Sequence, residues 1–473
     1  MTENHAAASF LDLPKLVVDV LIIGWGKGGK TFAGAMAGMG KTVAIVEQSP
    51  KMYGGTCINI GCVPTKVLVH QAESKRPNDD PATYFTTAVQ TRDELIAKLN
   101  EVNLKMLADR DTVTVVDGTA SFVGEREVEI SPTDGGAGVA QHMRIAADTV
   151  VINTGAVPAM LDLPGADGPR VYDSTALQHV RPFPERLAIV GAGPIGLEFA
   201  SMFRGFGSQV TVIVRGEKIL PKEDADVAAA VTDVLMESGI EIRTNAEPVS
   251  FEHAENDVTV NFAAGEPLVV DAVLCATGRR PATDALNLGA AGVATDEHGA
   301  IIVDDQLRTT APGVFAMGDV HGGMQQTFLS LDDHRIVLDA VAGKGTRRVS
   351  DRVAVPSTMF ISPPFSSVGL TEREAAERGR RVKSVCVQVA SVKAMPRPKT
   401  LGDARGIIKF VVDADSDLVL GARLFHVDSQ EVINLVALAM RANVTATELR
   451  DGIWTHPSST EALNEVLGQL SEQ

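Results

Sequence analysis

Aromatic residues are only 4% of the 473-residue sequence, with two tryptophans and three tyrosines, so broad stacking surfaces are not part of its design. Basic residues are also in deficit. Lys and Arg number 43 against 60 Asp and Glu, and the formal charge of -17 repels phosphate backbones and anionic lipid surfaces. Nucleic acid and membrane surfaces are therefore not expected partners. Cysteine is scarce: Cys57, Cys62, Cys275 and Cys386 are too few to staple a chain of this length, which excludes a disulfide framework. Any cysteine pair must then act in chemistry or metal binding. No run approaches the roughly 18 apolar residues of a membrane span. Glu3, His5, Asp12 and Lys15 precede any apolar stretch and do not make a secretory signal, so a cytoplasmic protein is expected.

What is present is ordinary globular material, 45% apolar and 22% charged, and a large stock of 43 glycines. At about 100–200 residues per domain, the length predicts two to four units. After a tail over residues 1–16, an apolar strand, Val17 to Ile23, runs into Gly24-Trp25-Gly26-Lys27-Gly28-Gly29. A small-residue helix to Gly40 and a second strand, Thr42 to Glu47, follow. This is the strand-turn-helix-strand context of a dinucleotide site, with a phosphate expected at the helix N-terminus. The unit recurs as Leu187–Val190, Gly191-Ala192-Gly193-Pro194-Ile195-Gly196, a helix to Gly207 and a strand, Gln209–Val214. Two nucleotide-binding sites follow.

The residue after each second strand separates the two sites. Glu47 can accept hydrogen bonds from an unphosphorylated adenosine ribose, which suits FAD. The matching position in the second copy is Val214, followed by Arg215, whose guanidinium suits a 2′-phosphate. NADPH is favoured there, with NADH as the second option. Strands ending at Thr154-Gly155, Thr277-Gly278 and Gly318-Asp319 read as places where the chain passes a cofactor closely and crosses between domains. The expected division is an FAD domain over 17–155 and 280–350, an NAD(P) domain over 156–279, and an α+β domain over 351–473. Candidate cofactor contacts are Gly24, Gly26, Gly29, Glu47, Thr56, Gly118, Thr154 and Gly155 in the first site. In the second they are Gly191, Gly193, Gly196, Arg215 and Gly278.

Between the two nucleotide motifs lies Gly54-Gly55-Thr56-Cys57-Ile58-Asn59-Ile60-Gly61-Cys62-Val63-Pro64-Thr65-Lys66. Cysteines five apart can meet across a distorted helical turn if the chain bends, and Gly61 and Pro64 permit that. No second Cys or His pair stands near at zinc-ligand spacing. A dithiol that exchanges electrons with a flavin is the simple reading. Cys275 and Cys386 read as small buried hydrophobes, and His321, His334 and His426 form no ligand-spaced cluster; no permanent metal is expected.

These motifs, with Thr277-Gly278-Arg279, Met317-Gly318-Asp319 and His456-Pro457-x-x-x-Glu461, resemble the class I pyridine nucleotide-disulfide oxidoreductases over about Val17 to Leu467. Within that group the sequence is most similar to the reactive-chlorine-resistance (RclA-type) flavoproteins. Thr56 to Cys62, Ser330-Leu331-Asp332-Asp333-His334-Arg335-Ile336-Val337 and Asp428-Ser429-Gln430-Glu431-Val432-Ile433-Asn434 carry that similarity. The resemblance implies an α/β fold of two Rossmann-like dinucleotide-binding domains, for FAD and NAD(P), plus a C-terminal α+β dimerisation domain. It implies a homodimer with shared active sites, Cys62 as the thiolate facing the flavin and Cys57 as the outer, attacking thiol. His456 acts as the acid-base partner oriented by Glu461 and reaches the other subunit's dithiol. Lys66 and Glu198 form an ion pair beside the flavin, and Asp319 bonds its ribityl chain. The implied activity is reduction of small oxidised sulfur species such as hypothiocyanous acid, or of Cu(II). A dihydrolipoamide dehydrogenase or another disulfide reductase of the glutathione or mycothione type is the alternative, and a non-enzymatic flavin redox sensor a third. A mercuric reductase is disfavoured, since the sequence ends without a cysteine pair.

Overall fold

Val20 to Ile23 are apolar and buried on both faces, which suits a central parallel strand. The computed structural model describes residues 13–133 and 141–472, so the expected tail lies outside the described residues as far as residue 12. The first strand is Lys15–Ile23, two residues longer than the sequence predicts, because Lys15 and Leu16 pair with Arg144 and Ile145. That partner is distant in sequence and leaves no local signal.

Packing divides the chain into two compact units. The first holds the residues up to Val67, Val89–Pro158 and Arg279–Asp351; the second holds Leu68–Ala88, Ala159–Gly278 and Arg352 onward. In the first, Lys15–Ile23 lies between the parallel strands Val43–Glu47 and Met143–Ile152. Val113–Asp117 extends the sheet beyond Val43–Glu47, and Val314–Ala316 pairs with Met143–Ile152. The chain reverses its direction of winding at Gly24, the switch point at which such sheets bind ligands. Helix Lys27–Gly38 starts earlier than the sequence suggests, inside the glycine turn, so the positive end of its dipole lies at that point.

The second unit repeats the scheme. Arg186–Val190 is flanked by the parallel strands Gln209–Ile213 and Ala272–Cys275, and helix Pro194–Phe206 opens with proline in its first turn. A six-stranded sheet, running 357–359, 365–369, 419–425, 407–413, 382–388 and 471–472, belongs to the same unit with helix Ser429–Arg441. The sequence predicts separate parts over 156–279 and 351–473; packing joins them. Their join is ionic. Lys409, 2% exposed in its side chain, sits 3.1 Å from Asp224, 2.8 Å from Asp226 and 3.1 Å from Glu372, and Arg423 sits 2.6 Å from Glu223. Leu68–Ala88 also belongs here because Phe85 stacks among Phe183, Phe203 and Phe206, with ring centroids 5.1–5.5 Å apart.

Candidate active site

The cysteine segment folds as two helices broken at Ile60 and Gly61. Gly55–Asn59 carries Cys57, and Cys62 is the first residue of Cys62–Ser74. The amides of Ile60 and Gly61 both return to Thr56 O, at 3.0 and 2.7 Å, which closes the first helix and lets the second begin. The cysteines are both thiols, and the Cys57 S–H donates to the Cys62 sulfur. That bond, against the opposing effect of burial and with help from the Thr327 hydroxyl and the Lys66 ammonium, draws Cys62 down to about 6. The same bond, with burial, pushes Cys57 well above the ordinary thiol range. Thr327 Oγ1 stands 3.4 Å from Cys62 Sγ. A residue at a helix N-terminus also meets the positive end of the helix dipole, which favours a thiolate.

Cys57 lies on the wall of an open cleft at the switch point. Gly24, Gly26, Glu47, Thr56, Gly118, Thr154, Gly155 and Asp319 line it, as do Lys27, Thr327 and Ser330. Gly24 has φ +94°, and a Cβ there would fall 2.5 Å from Asn153 O, so the turn admits only glycine. Glu47 is buried at the wall and accepts Trp25 N at 3.0 Å and Ser49 N at 3.2 Å. Burial pushes it up to about 7 against those bonds. Burial likewise raises Asp319. The indole Nε1 of Trp25, a wall residue, is buried without a partner. An acidic acceptor at the end of the second strand, the positive end of a helix and an unpaired donor on the cleft wall are what a dinucleotide needs, and the residues fit an FAD.

Some expected contacts are placed otherwise. Gly29 and Lys66 do not line this cleft: Gly29 N donates to Asn153 Oδ1 at 2.8 Å, and Lys66 Nζ reaches Thr65 Oγ1 at 3.4 Å. In the second unit Gly191, Gly193, Arg215 and Gly278 line a cleft with Glu247, and a Cβ at Gly193 would project into open space. Gly196 is instead packed on Gly191, where a Cβ would fall 2.0 Å from the carbonyl oxygen, and Glu198 Oε1 accepts Phe360 N at 2.8 Å. Cys275 is buried as expected, but Cys386 is exposed, on the face of strand Val382–Gln388 that it shares with Lys409.

His456 Nδ1 lies 2.8 Å from Glu461 Oε1, and Ser458 N donates to Glu461 Oε2 at 2.8 Å. Burial raises the Glu461 carboxyl, but the Ser458 N–H and His456 outweigh it and hold the group low. The His456 side chain is 72% exposed. Ser459, buried one residue beyond Ser458, donates to Asp428 Oδ2 at 3.0 Å, and Arg397 Nε holds the same oxygen at 3.1 Å. Three contributors were missed from sequence. Asn153, Thr327 and Ser330 hold the glycine turn and the thiols; Ser330 Oγ accepts Gly28 N at 3.0 Å, and Asn153 Nδ2 donates to Met317 O at 2.6 Å. Only Asn153 gives a signal, as the single polar residue closing an apolar strand. Among the described residues no three His, Cys, Asp or Glu side chains group as metal ligands.

Two switch-point clefts, with Cys57 of the thiol pair on the wall of one, define a two-nucleotide dithiol oxidoreductase. The chain belongs to the pyridine nucleotide-disulphide oxidoreductases: that family's model matches residues 18–332, and the model of its dimerisation domain matches residues 355–467. The chain is 44% identical over 447 residues to the probable pyridine nucleotide-disulfide oxidoreductase RclA of Escherichia coli, covering 94% of this chain and 98% of that one. It is 34% identical over 471 residues to a dihydrolipoyl dehydrogenase of Thermus scotoductus, covering 96% and 98%. A solved structure of the Cu(II) complex of HOCl-induced flavoprotein disulfide reductase RclA from Escherichia coli superposes with a TM-score of 0.90 at 42% identity, covering 96% of this chain and 99% of that one. The fold and the oxidoreductase class are thereby shown, and a flavin and a pyridine nucleotide are the cofactors the family implies.

Proposed function

We propose that the protein is an FAD-dependent NAD(P)H oxidoreductase that uses the Cys57–Cys62 pair to reduce small oxidised sulfur species, or Cu(II), in defence against reactive chlorine. The observation that carries this is the split thiol pair, with Cys57 on the wall of the first cleft and the other sulfur poised as a thiolate near neutrality. The likeness to a flavoprotein described as HOCl-induced, whose structure holds Cu(II), supports the substrate class. FAD falls to 17–155 and 280–350, NAD(P) to 156–279, and subunit pairing to 351–473.

Bound in the first cleft, a flavin would supply the two-electron relay from a dihydronicotinamide that returns the Cys57–Cys62 disulfide to the dithiol. His456 takes the Cys57 proton, and the Cys57 sulfur attacks the divalent sulfur of hypothiocyanous acid; an S–S bond forms, the S–O bond breaks, and the hydroxide departs as water with that proton returned by His456. Cys62 thiolate then attacks the Cys57 sulfur, expels thiocyanate and closes the disulfide. With copper, the dithiolate yields two electrons to two Cu(II) ions, and soft sulfur suits the Cu(I) produced. Glu461 holds the imidazole in orientation, and the exposure of His456 suits donation to a second subunit. Arg215, on the wall of the second cleft, favours NADPH through a 2′-phosphate. Steady-state rates with NADPH and NADH against hypothiocyanous acid, Cu(II), lipoamide and glutathione disulfide test the reading. Faster turnover of lipoamide than of hypothiocyanous acid would move the protein to the dihydrolipoamide dehydrogenases. A yellow protein that never bleaches with NADPH under anaerobic conditions would end it.

A further inference from the structure

Lys30 lies in the first turn of helix Lys27–Gly38, yet it is only 6% exposed. It does not line the first cleft, which takes Lys27 from the same turn, so it is not a cofactor contact. Its ammonium donates to Asn103 Oδ1. Asn103 is itself buried and spends an N–H on Leu99 O at 2.7 Å, so the acceptor is neutral and fixed. Among the described residues no carboxylate pairs with Lys30. A buried ammonium with only an amide for company is costly unless an anion forms beside it.

The neighbouring element is the cysteine helix. Gly54 caps it, and a Cβ on Gly54 would fall 3.1 Å from Asn103 Cγ and 2.8 Å from Ile58 Cγ1. A Cβ on Gly55 would fall 2.9 Å from Gly26 Cα, so the helix carrying Cys57 rests on the glycine turn and on the Lys30–Asn103 pair. The group of that helix that becomes anionic during turnover is the Cys57 sulfur. We infer that Lys30 is a positioning residue, an internal cation that stabilises negative charge on Cys57 and sets the pH at which the outer thiol attacks. This rests on the reading of Cys57 as the attacking sulfur.

The charged and titratable groups around the pair come from three helices. Cys62 and burial oppose ionisation of Cys57, while Thr327 and Lys30 favour it. Burial and then Lys27 lower Lys30, to about 8, and Cys57 raises it; Lys66 acts on Cys62. The two groups therefore stabilise each other's charged forms.

The test is the pH profile of Cys57 alkylation by iodoacetamide, read on the Cys57 peptide by mass spectrometry in dithiothreitol-reduced holoenzyme carrying Cys62→Ser. Adding Lys30→Gln, which keeps the hydrogen bond to Asn103, should raise the midpoint by about one pH unit and slow alkylation about tenfold below it. Asn103→Asp, which neutralises the ammonium without removing it, should move the midpoint the same way; Lys30→Arg should restore it. An unchanged midpoint in either folded neutralising variant overturns the proposal. Because no nicotinamide is present, the outcome is independent of flavin bleaching, whose failure would sink the functional reading alone.

Discussion

At the residue scale the site is a set of shifted protons. Cys62 should ionise near pH 6 in the reduced enzyme, because a donated S–H, a hydroxyl and a helix N-terminus all favour its anion. Thiolate ultraviolet absorbance should rise with that midpoint, and Cys62→Ser should abolish the step; a rise only above about pH 8 would contradict the assignment. Glu47 moves the other way. Its ordinary value is 4.5, and burial lifts it to about 7 in the folded chain, so between those values the unfolded chain releases a proton that the native site keeps. Stability without cofactor should therefore fall as pH rises through that window. Ribose hydroxyls that donate to Glu47 favour its anion, so FAD affinity should increase from about pH 5.5 to about pH 7.5, measured by quenching of flavin fluorescence. Glu47→Gln should flatten that dependence. The glycines, Glu47 and the cysteines are legible in the sequence because each is a local pattern. Thr327 is not, and Asn153 shows only as a polar residue closing an apolar strand, since their partners lie far along the chain and only folding brings them to Cys62 and Gly29.

At the element scale, strands and helices were readable from periodicity and from the glycine turns, and most bounds differ from the expected ones by a few residues. The larger miss concerns what the elements pack against. Nothing near Lys409 in sequence says that a residue in the interior of Ile407–Asp413 will meet Asp224 and Asp226, because an isolated lysine in an apolar strand carries no hint of its partners. Such a charge must be paired, and removing it leaves the half-buried Asp224 facing the more open Asp226 and Glu372. Lys409→Met should cost about 3–5 kcal/mol in urea unfolding followed by circular dichroism at neutral pH, and less in acid, where the carboxyls protonate. A loss below about 1 kcal/mol would show that water already screens the cluster.

At the scale of the whole molecule, the division of labour is legible because the glycine motif occurs twice, while the grouping by packing is not. The last two of the three parts expected from sequence keep separate sheets, and the third carries its own family match, while packing groups those two into one unit, because composition marks where a chain changes fold and not which folds pack together. The proposed function turns at this scale on His456, whose imidazole Glu461 holds at the surface. His456→Gln should slow oxidant reduction by about 10²–10⁴ while leaving NADPH bleaching of the flavin intact, as followed by stopped-flow absorbance. Equal slowing of both half-reactions would mean that the imidazole serves structure only.

The ionic join between strand Ile407–Asp413 and the stretch around Asp224 also bears on how such chains can be recombined. A graft that swaps the nicotinamide half for another enzyme's, to change donor preference, would carry off Glu223, Asp224 and Asp226 and strand Lys409 and Arg423 without them. No clean seam for chimeras exists there, so donor preference in this chain is better altered by replacing single residues at the wall of the second cleft.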